Sequence, residues 1–99
     1  MSTDTVASAE RVLAVLDVLL PHFAHGLAAG QVAAAARASP SATTRALLTL
    51  ERAGYAERIP ETGRWRPSHR LGRAATQMLH SLEAARERAE ESRRRLAGG

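Results

Sequence analysis

Ninety-nine residues give room for one domain. The composition is 44% apolar and 24% charged, and no apolar run approaches the ~18 residues a membrane helix requires. There is no cysteine, which excludes disulfides, thiolate metal sites, thiol nucleophiles and iron–sulfur clusters. The start, MSTDTVASAERV, lacks the basic and apolar regions of a secretory signal, so the expected compartment is the cytoplasm.

The net charge is +4, and all fourteen basic residues are arginine. Arginine forks onto a phosphate or a guanine edge in a way lysine cannot copy. A GC-rich genome also produces an arginine-only set, and the count alone does not separate the two. Position says more. From Arg37 to Arg73 eight arginines (37, 45, 52, 58, 64, 66, 70 and 73) stand against three acids (51, 57 and 61), while the remainder has six arginines and seven acids. A surplus confined to the middle third points to a polyanionic partner contacted there.

Residues 1–7 read as a flexible tail. A first helix is expected from Ser8, which can cap it while Glu10 favours the positive end of the dipole. Val12, Val15, Leu16 and Leu19 recur at helical spacing, with Leu13 and Leu20 widening the stripe, and Pro21 marks the end. PHFAHGLAAG is a loop that buries Phe23 or Leu27. QVAAAARAS predicts a short helix around residues 29 to 37, high in propensity but without a good cap. Ser39-Pro40 then places a cap residue before a proline at the first helical position, where the missing N–H costs nothing. Thr43, Ala46, Leu47 and Leu50 form one apolar face of this third helix, and Gly54 supplies its left-handed stop.

YAERIPETGRWRP predicts a hairpin: Tyr55 to Ile59, the turn Pro60-Glu61-Thr62-Gly63, and Arg64 to Arg66. Alternation puts Arg64 and Arg66 on one face and Trp65 on the other, in the core beneath the hairpin. A last helix runs from Ser68 to about Arg95, roughly 40 Å at 1.5 Å per residue. Leu71, Ala75, Met78, Leu82, Ala85 and Ala89 recur in a 4-3-4-3-4 spacing, a heptad seam that weakens to alanine. Arg86–Glu90, Glu90–Arg94 and Glu91–Arg95 are expected i,i+4 pairs. The chain thus divides into a tail (1–7), a compact unit (8–67), a long helix (68–96) and a frayed end (97–99).

Two short helices, a three-residue turn and a capped second helix fit a helix-turn-helix, with small Ala33 where the helices cross. On the third helix, Ser41, Ala42, Arg45 and Thr49 share one face opposite Thr43, Leu47 and Leu50, with Thr44 on the flank. An unpaired arginine is too costly to bury, so Arg45 must point outward. Ser39, Ser41, Ala42, Thr44, Arg45 and Thr49 are therefore candidate contacts to bases or phosphates of double-stranded DNA. Arg58, Arg64 and Arg66 are available to phosphates or the minor groove, although Arg58 is equally read as solvated or paired with Glu57 or Glu61.

His22 and His25 have no acidic or cysteine partner nearby and read as loop residues; His80 reads as surface. With no nucleophile–histidine–acid set and no glycine-rich phosphate loop, the sequence indicates neither an enzyme nor a cofactor.

The run ERVLAVLDVL…VAAAARASPSATTRALLTLERAGYAERIPETGRWRPSHRL resembles the N-terminal winged-helix domain of IclR-type transcriptional regulators over about residues 8 to 72. The matching residues are Arg11, Pro40, Thr43, Leu47, Leu48, Leu50, Glu51, Gly54, Tyr55, Glu57, Arg58, Gly63, Arg64, Arg66, Arg70 and Leu71. Three departures stand out. Arg37-Ala38 occupies a turn where such motifs often carry glycine, and a non-glycine residue at positive φ costs ~1–2 kcal/mol, so a turn of different shape is expected. Trp65 replaces the usual tyrosine. Where the effector-binding domain of IclR-type regulators would follow, one helix is expected instead, an arrangement that resembles the short stand-alone proteins of this type carried by Mu-like phages and prophages. The resemblance implies no small-molecule effector.

A winged helix followed by a single long helix is thus the expected fold, mainly α with a small β-hairpin. A unit of about sixty residues cannot cover a 40 Å helix, which leaves three readings: folding back on the first helix, pairing with its twin, or serving another protein. The expected seam of a homodimer is Leu71, Ala75, Met78 and Leu82 with part of the first helix. The reading that follows is a sequence-specific double-stranded-DNA-binding regulator acting as a dimer. The alternatives are a protein-interaction scaffold using the charged helix, and a non-specific architectural or replication accessory protein.

Overall fold

The computed structural model describes residues 4–98. Helix α1 spans Ala7–Leu19 and continues as one 3₁₀ turn over Leu20–His22; α2 (Ala29–Ala36), α3 (Pro40–Ala53), strands β1 (Ala56–Arg58) and β2 (Trp65–Pro67), and α4 (His69–Ala97) follow. This is a winged helix-turn-helix carrying a long C-terminal helix, as expected. Of the expected tails, residues 1–3 and Gly99 lie outside the described residues, whereas Ala97 is still helical and Gly98 caps it.

The core collects one face of each element: Val15 and Leu19 from α1, Val32 and Ala33 from α2, Ala46, Leu47 and Leu50 from α3, Ala56 and Trp65 from the hairpin. Thr43 is buried with them, and its hydroxyl has no partner among the described residues. Leu13 and Leu20 do not join the stripe. At about 100° per residue both fall well away from Val15, and they stay 59% and 47% exposed. Nor is Ser8 the cap of α1: that position is Val6, whose carbonyl accepts the Glu10 N–H at 3.0 Å. Of the two loop residues offered for burial, Leu27 is half-buried, and Phe23 is 37% exposed beside Gly72.

Helix α2 starts without a side-chain cap at Ala28, but the Gln31 Oε1 accepts the Ala28 N–H at 2.9 Å. Its end corrects the expected change of turn shape. Arg37 adopts the left-handed conformation (φ 54°, ψ 46°) that glycine usually supplies. The Arg37 N–H donates to the Ala34 carbonyl (3.3 Å) and the Ala38 N–H to the Ala33 carbonyl (3.0 Å), closing a Schellman motif. Helix α3 begins as expected, with Ser39 Oγ accepting the Ala42 N–H at 3.1 Å. It ends in the same motif as α2, with Gly54 at φ 88° and the Tyr55 N–H on the Leu50 carbonyl at 2.8 Å.

The strands pair antiparallel, with Ala56 opposite Pro67, Glu57 opposite Arg66 and Arg58 opposite Trp65. Gly63 takes the left-handed position of the turn (φ 73°). One more partner joins: Leu27 exchanges both backbone hydrogen bonds with Trp65, at 2.8 and 2.7 Å. The backbone approaches so closely there that a Cβ on Gly26 (φ 70°) would sit 2.6 Å from the Trp65 carbonyl oxygen.

Ser68 fixes where α4 departs. Its hydroxyl donates to the Gly54 carbonyl (2.8 Å) and accepts the Leu71 N–H (3.4 Å). Within the same turn, Arg70 donates to the Ala53 carbonyl (3.2 Å) and the Tyr55 hydroxyl (3.1 Å) and lies over the Tyr55 ring. Beyond this start α4 leaves the body: no residue of it is buried, and from Ala75 onward all but Ala84 are exposed. The helix does not fold back on α1. Its ion pairs differ from the expected set as well. Glu90 pairs with Arg93 and Glu91 with Arg94, both i,i+3, and only Glu91–Arg95 (3.5 Å) keeps the expected spacing.

Candidate nucleic-acid interface

The side of α3 opposite the core carries Ser41, Thr44, Arg45, Leu48 and Arg52, all exposed. They follow the helical repeat that puts Thr43, Ala46, Leu47 and Leu50 inside. The face expected from sequence is rotated slightly from this one. Half-buried Ala42 and exposed Thr49 turn toward α1, where with Ser8, Arg11, Val12 and Arg45 they line a cleft of about 210 Å³. Thr49 also spends its hydroxyl proton on the Arg45 carbonyl at 2.8 Å. Ser39 is occupied by capping, its Oγ lying 3.4 Å from that of Ser41.

The guanidinium groups of Arg11, Arg37, Arg45 and Arg52 have no hydrogen-bond or ion-pair partner among the described residues, and all four are exposed. Arg45 and Arg52 stand on α3 itself, Arg11 lines the cleft between α1 and α3 with Arg45, and Arg37 closes α2 just before α3. Three of them had no assigned role in the sequence, nor did Leu48, whose 46% exposure puts an apolar group among the polar ones. The signal was present: i, i+3, i+4 and i+7 steps from Ser41 reach Thr44, Arg45 and Leu48.

On the wing the arginines are differently placed. Arg64 donates through Nε (3.3 Å) and Nη2 (3.2 Å) to the Gly26 carbonyl and reaches the Gln31 side chain. Arg66 forks onto Glu57 through Nε and Nη2, both at 2.9 Å. The structure therefore brings both to the wing as expected but turns their donors inward, to tie the wing to α2 and the two strands together. Arg58 pairs with neither Glu57 nor Glu61. It is exposed, with its guanidinium 4.4 Å from the centre of the Trp65 ring, a contact available because the two residues are cross-strand partners.

Glu57 also accepts from His69, through the ring Nδ1 (2.8 Å) and the backbone N–H (3.3 Å). Partial burial acts to raise its pKa, but the hydrogen bonds from the His69 backbone, Arg66 and the His69 ring outweigh it and hold the carboxyl below its ordinary value. This network locks the wing to the first turn of α4. No local pattern of residues announces it.

An exposed helix face at the second position of a helix-turn-helix, ringed by unpaired arginines, is a nucleic-acid-binding arrangement. A family model for the IclR helix-turn-helix domain matches residues 8–60. The chain belongs to the IclR helix-turn-helix family. The match runs from the first turn of α1 into the wing turn and includes the whole outer face of α3. The IclR domain is a DNA-binding regulatory unit and not a catalytic one, so the chain is a DNA-binding transcription regulator whose partner is double-stranded DNA. A search of curated proteins found no match. No described helix is long and apolar enough to cross a membrane.

Proposed function

We propose that this regulator recognises a specific sequence in double-stranded DNA, as a dimer, with α3 in the major groove and the wing on the flanking backbone. Arg45 reads a base edge, a guanine being its best match, with Ser41 and Thr44 beside it and Leu48 against a thymine methyl. Ala42 and Thr49 border that contact on the α1 side. Arg11, Arg37 and Arg52 take phosphates around it, and Ser39 adds the positive end of the helix. Arg58 is the wing cation that reaches flanking phosphate, while Arg64 and Arg66 hold the wing in shape. Leu71, Ala75, Met78 and Leu82 join two copies through α4.

One observation carries this reading: the outer face of α3 displays two arginines, two hydroxyls and a leucine that have no role in packing. A helix serving only the core gains nothing from that face. Selecting random duplex DNA with purified protein at about 0.15 M salt tests it. An enriched motif of two inverted half-sites is the expected result. Retention of DNA without enrichment would contradict specificity and favour the architectural reading. No retention above that of any basic protein would favour the protein scaffold.

A further inference from the structure

The seam of α4 does not stop at Ala89. The same 3-4 steps continue to Ser92 and Leu96, so that Leu71, Ala75, Met78, Leu82, Ala85, Ala89, Ser92 and Leu96 form one stripe over the helix. Little of it is covered in the single chain: Met78 and Leu82 are each 68% exposed and Leu96 85%. The stripe is unequal end to end. Its first half holds most of the large residues, and its second half is Ala85, Ala89 and Ser92 before the final leucine.

The flanks are unequal too. Beside the first half lie Gly72 and Leu79 on one side and Ala74 and Ser81 on the other, all uncharged. Beside the second half lie Arg86 and Arg93 on the first side and Arg88 and Arg95 on the other. In a parallel pair each residue of the stripe meets its own copy, and the residues flanking one helix meet those on the opposite flank of the other. Arg88 would then face Arg93 of the second copy, twice, around a row of alanines too small to fill the space that leucines set elsewhere.

Reversing one helix removes both conflicts. With Leu82 opposite Ala85 of the second copy, Met78 meets Ala89, Ala75 meets Ser92 and Leu71 meets Leu96. Met78 and Leu82 then meet alanines, and the two remaining large residues, Leu71 and Leu96, meet each other. The flanks pair as Gly72 with Arg93, Leu79 with Arg86, Ala74 with Arg95 and Ser81 with Arg88, and no like charges oppose. Arg93 and Arg95 are already held by Glu90 and Glu91 of their own helix, on the side away from the stripe.

A second feature fits the same register. At the base of α4 an apolar groove of about 350 Å³ lies between Leu20, Phe23, Pro67, Leu71 and Ala75. Leu20 and Phe23 remain 47% and 37% exposed there, although they sit in the body of the fold. The reversed register delivers Leu96 of the second copy beside Leu71, at this groove.

From the matching of size, charge and groove we infer that two copies of this chain pair antiparallel along α4, with Leu96 of each seated against Leu20, Phe23 and Leu71 of the other. The inference deepens the dimer proposed above and rests on it, but not on DNA binding. It places the two winged helices at opposite ends of a helical pair, with a two-fold axis crossing it between Leu82 and Ala85. The two Leu71 positions then lie roughly 38 Å apart along the axis, at 1.5 Å per residue.

The absence of native cysteines makes disulfide trapping a clean test. Full-length M78C and A89C are prepared separately, mixed, allowed to exchange and oxidised mildly. A heterodisulfide joining an M78C chain to an A89C chain, with little self-linking of either variant alone, is the expected result. Self-linking of both variants would overturn the antiparallel register in favour of a parallel one, and absence of any disulfide would overturn the pairing altogether. Sedimentation of L96D, which alters no core residue, gives an independent readout: self-association should weaken at least roughly tenfold, and an unchanged dimer would overturn the seating of Leu96. Duplex binding by the same proteins reports on the DNA-reading proposal separately.

Discussion

On α3, Arg45 and Arg52 stand exposed with no partner among the described residues, whereas on the wing Arg64 and Arg66 turn Nε and Nη2 onto Gly26 and Glu57 respectively. Both sets come from the one basic stretch of the sequence, and charge counting treats them alike. Their surroundings separate them. A helix face opposite the core offers a guanidinium nothing to bond, so its charge remains for a partner. A three-residue strand lies within reach of a loop carbonyl and a cross-strand carboxylate, and its arginines close those contacts. The charge available to DNA is therefore concentrated on the helix-turn-helix, and the wing contributes chiefly shape and Arg58.

The largest effect is expected on the wing side of that divide. Gly26→Ala forces a side chain at positive φ against the Trp65 carbonyl and displaces the acceptor of Arg64. Overpacking and backbone strain together should cost about 3 kcal/mol. Thermal or urea unfolding checks this, and a loss below the error of the fit would mean that the Leu27 edge is not tied to the wing as described. From the helix side, Arg45→Ala should leave the melting temperature unchanged but weaken binding to the selected duplex by about 1–3 kcal/mol, relaxing one base position. Equal loss on every sequence would remove its base-reading role.

Arg64→Ala should behave in the opposite way. The change should cost about 1–2 kcal/mol of stability by leaving the Gly26 carbonyl without its charged donors, which urea unfolding reads directly. Arg37→Gly acts in both directions at once. Relief of the left-handed strain should stabilise the fold by about 1 kcal/mol, and loss of a phosphate contact should lower the salt slope of DNA binding by about one unit. A stabilised variant with an unchanged slope would make Arg37 a bystander in binding.

The smallest effect concerns Glu57, whose carboxyl is held below its ordinary pKa by His69 and Arg66. A depressed folded pKa adds stability above the ordinary carboxylate range, and that contribution is lost as pH falls through the lowered value. The difference in melting temperature between the wild type and Glu57→Gln should be full near neutrality and close in acid. A difference independent of pH would show that the carboxylate charge is not what holds α4 to the wing.

The helix-turn-helix was legible in the sequence because its signals are local. Ser39-Pro40 opens α3, Gly54 closes it, and Ala33 supplies the crossing. The wing turn was legible for the same reason, from Pro60 to Gly63. What could not be read depends on residues far apart in the chain. The pairing of Leu27 with Trp65 involves one residue of a loop and has no strand pattern. The bonds from Arg64 to Gly26 and from Arg70 to Ala53 and Tyr55 join segments that only the fold brings together. Arg37 misled in a different way, since a Schellman motif usually announces itself with glycine, and here the motif forms on an arginine. The face of α3 was read nearly in phase, and the remaining offset hid Leu48 and Arg52 while promoting Ala42 and Thr49.

Salt titration of duplex binding for the wild type, Arg45→Ala and Arg64→Ala side by side, each with its melting temperature, separates reading arginines from structural ones. Arg45→Ala should lose affinity for the selected sequence at unchanged stability, while Arg64→Ala should lose stability and keep the wild-type salt slope. A slope reduced by about one unit in Arg64→Ala, with a melting temperature unmoved, would refute the division, because the wing arginine would then be spending its charge on phosphate and not on Gly26.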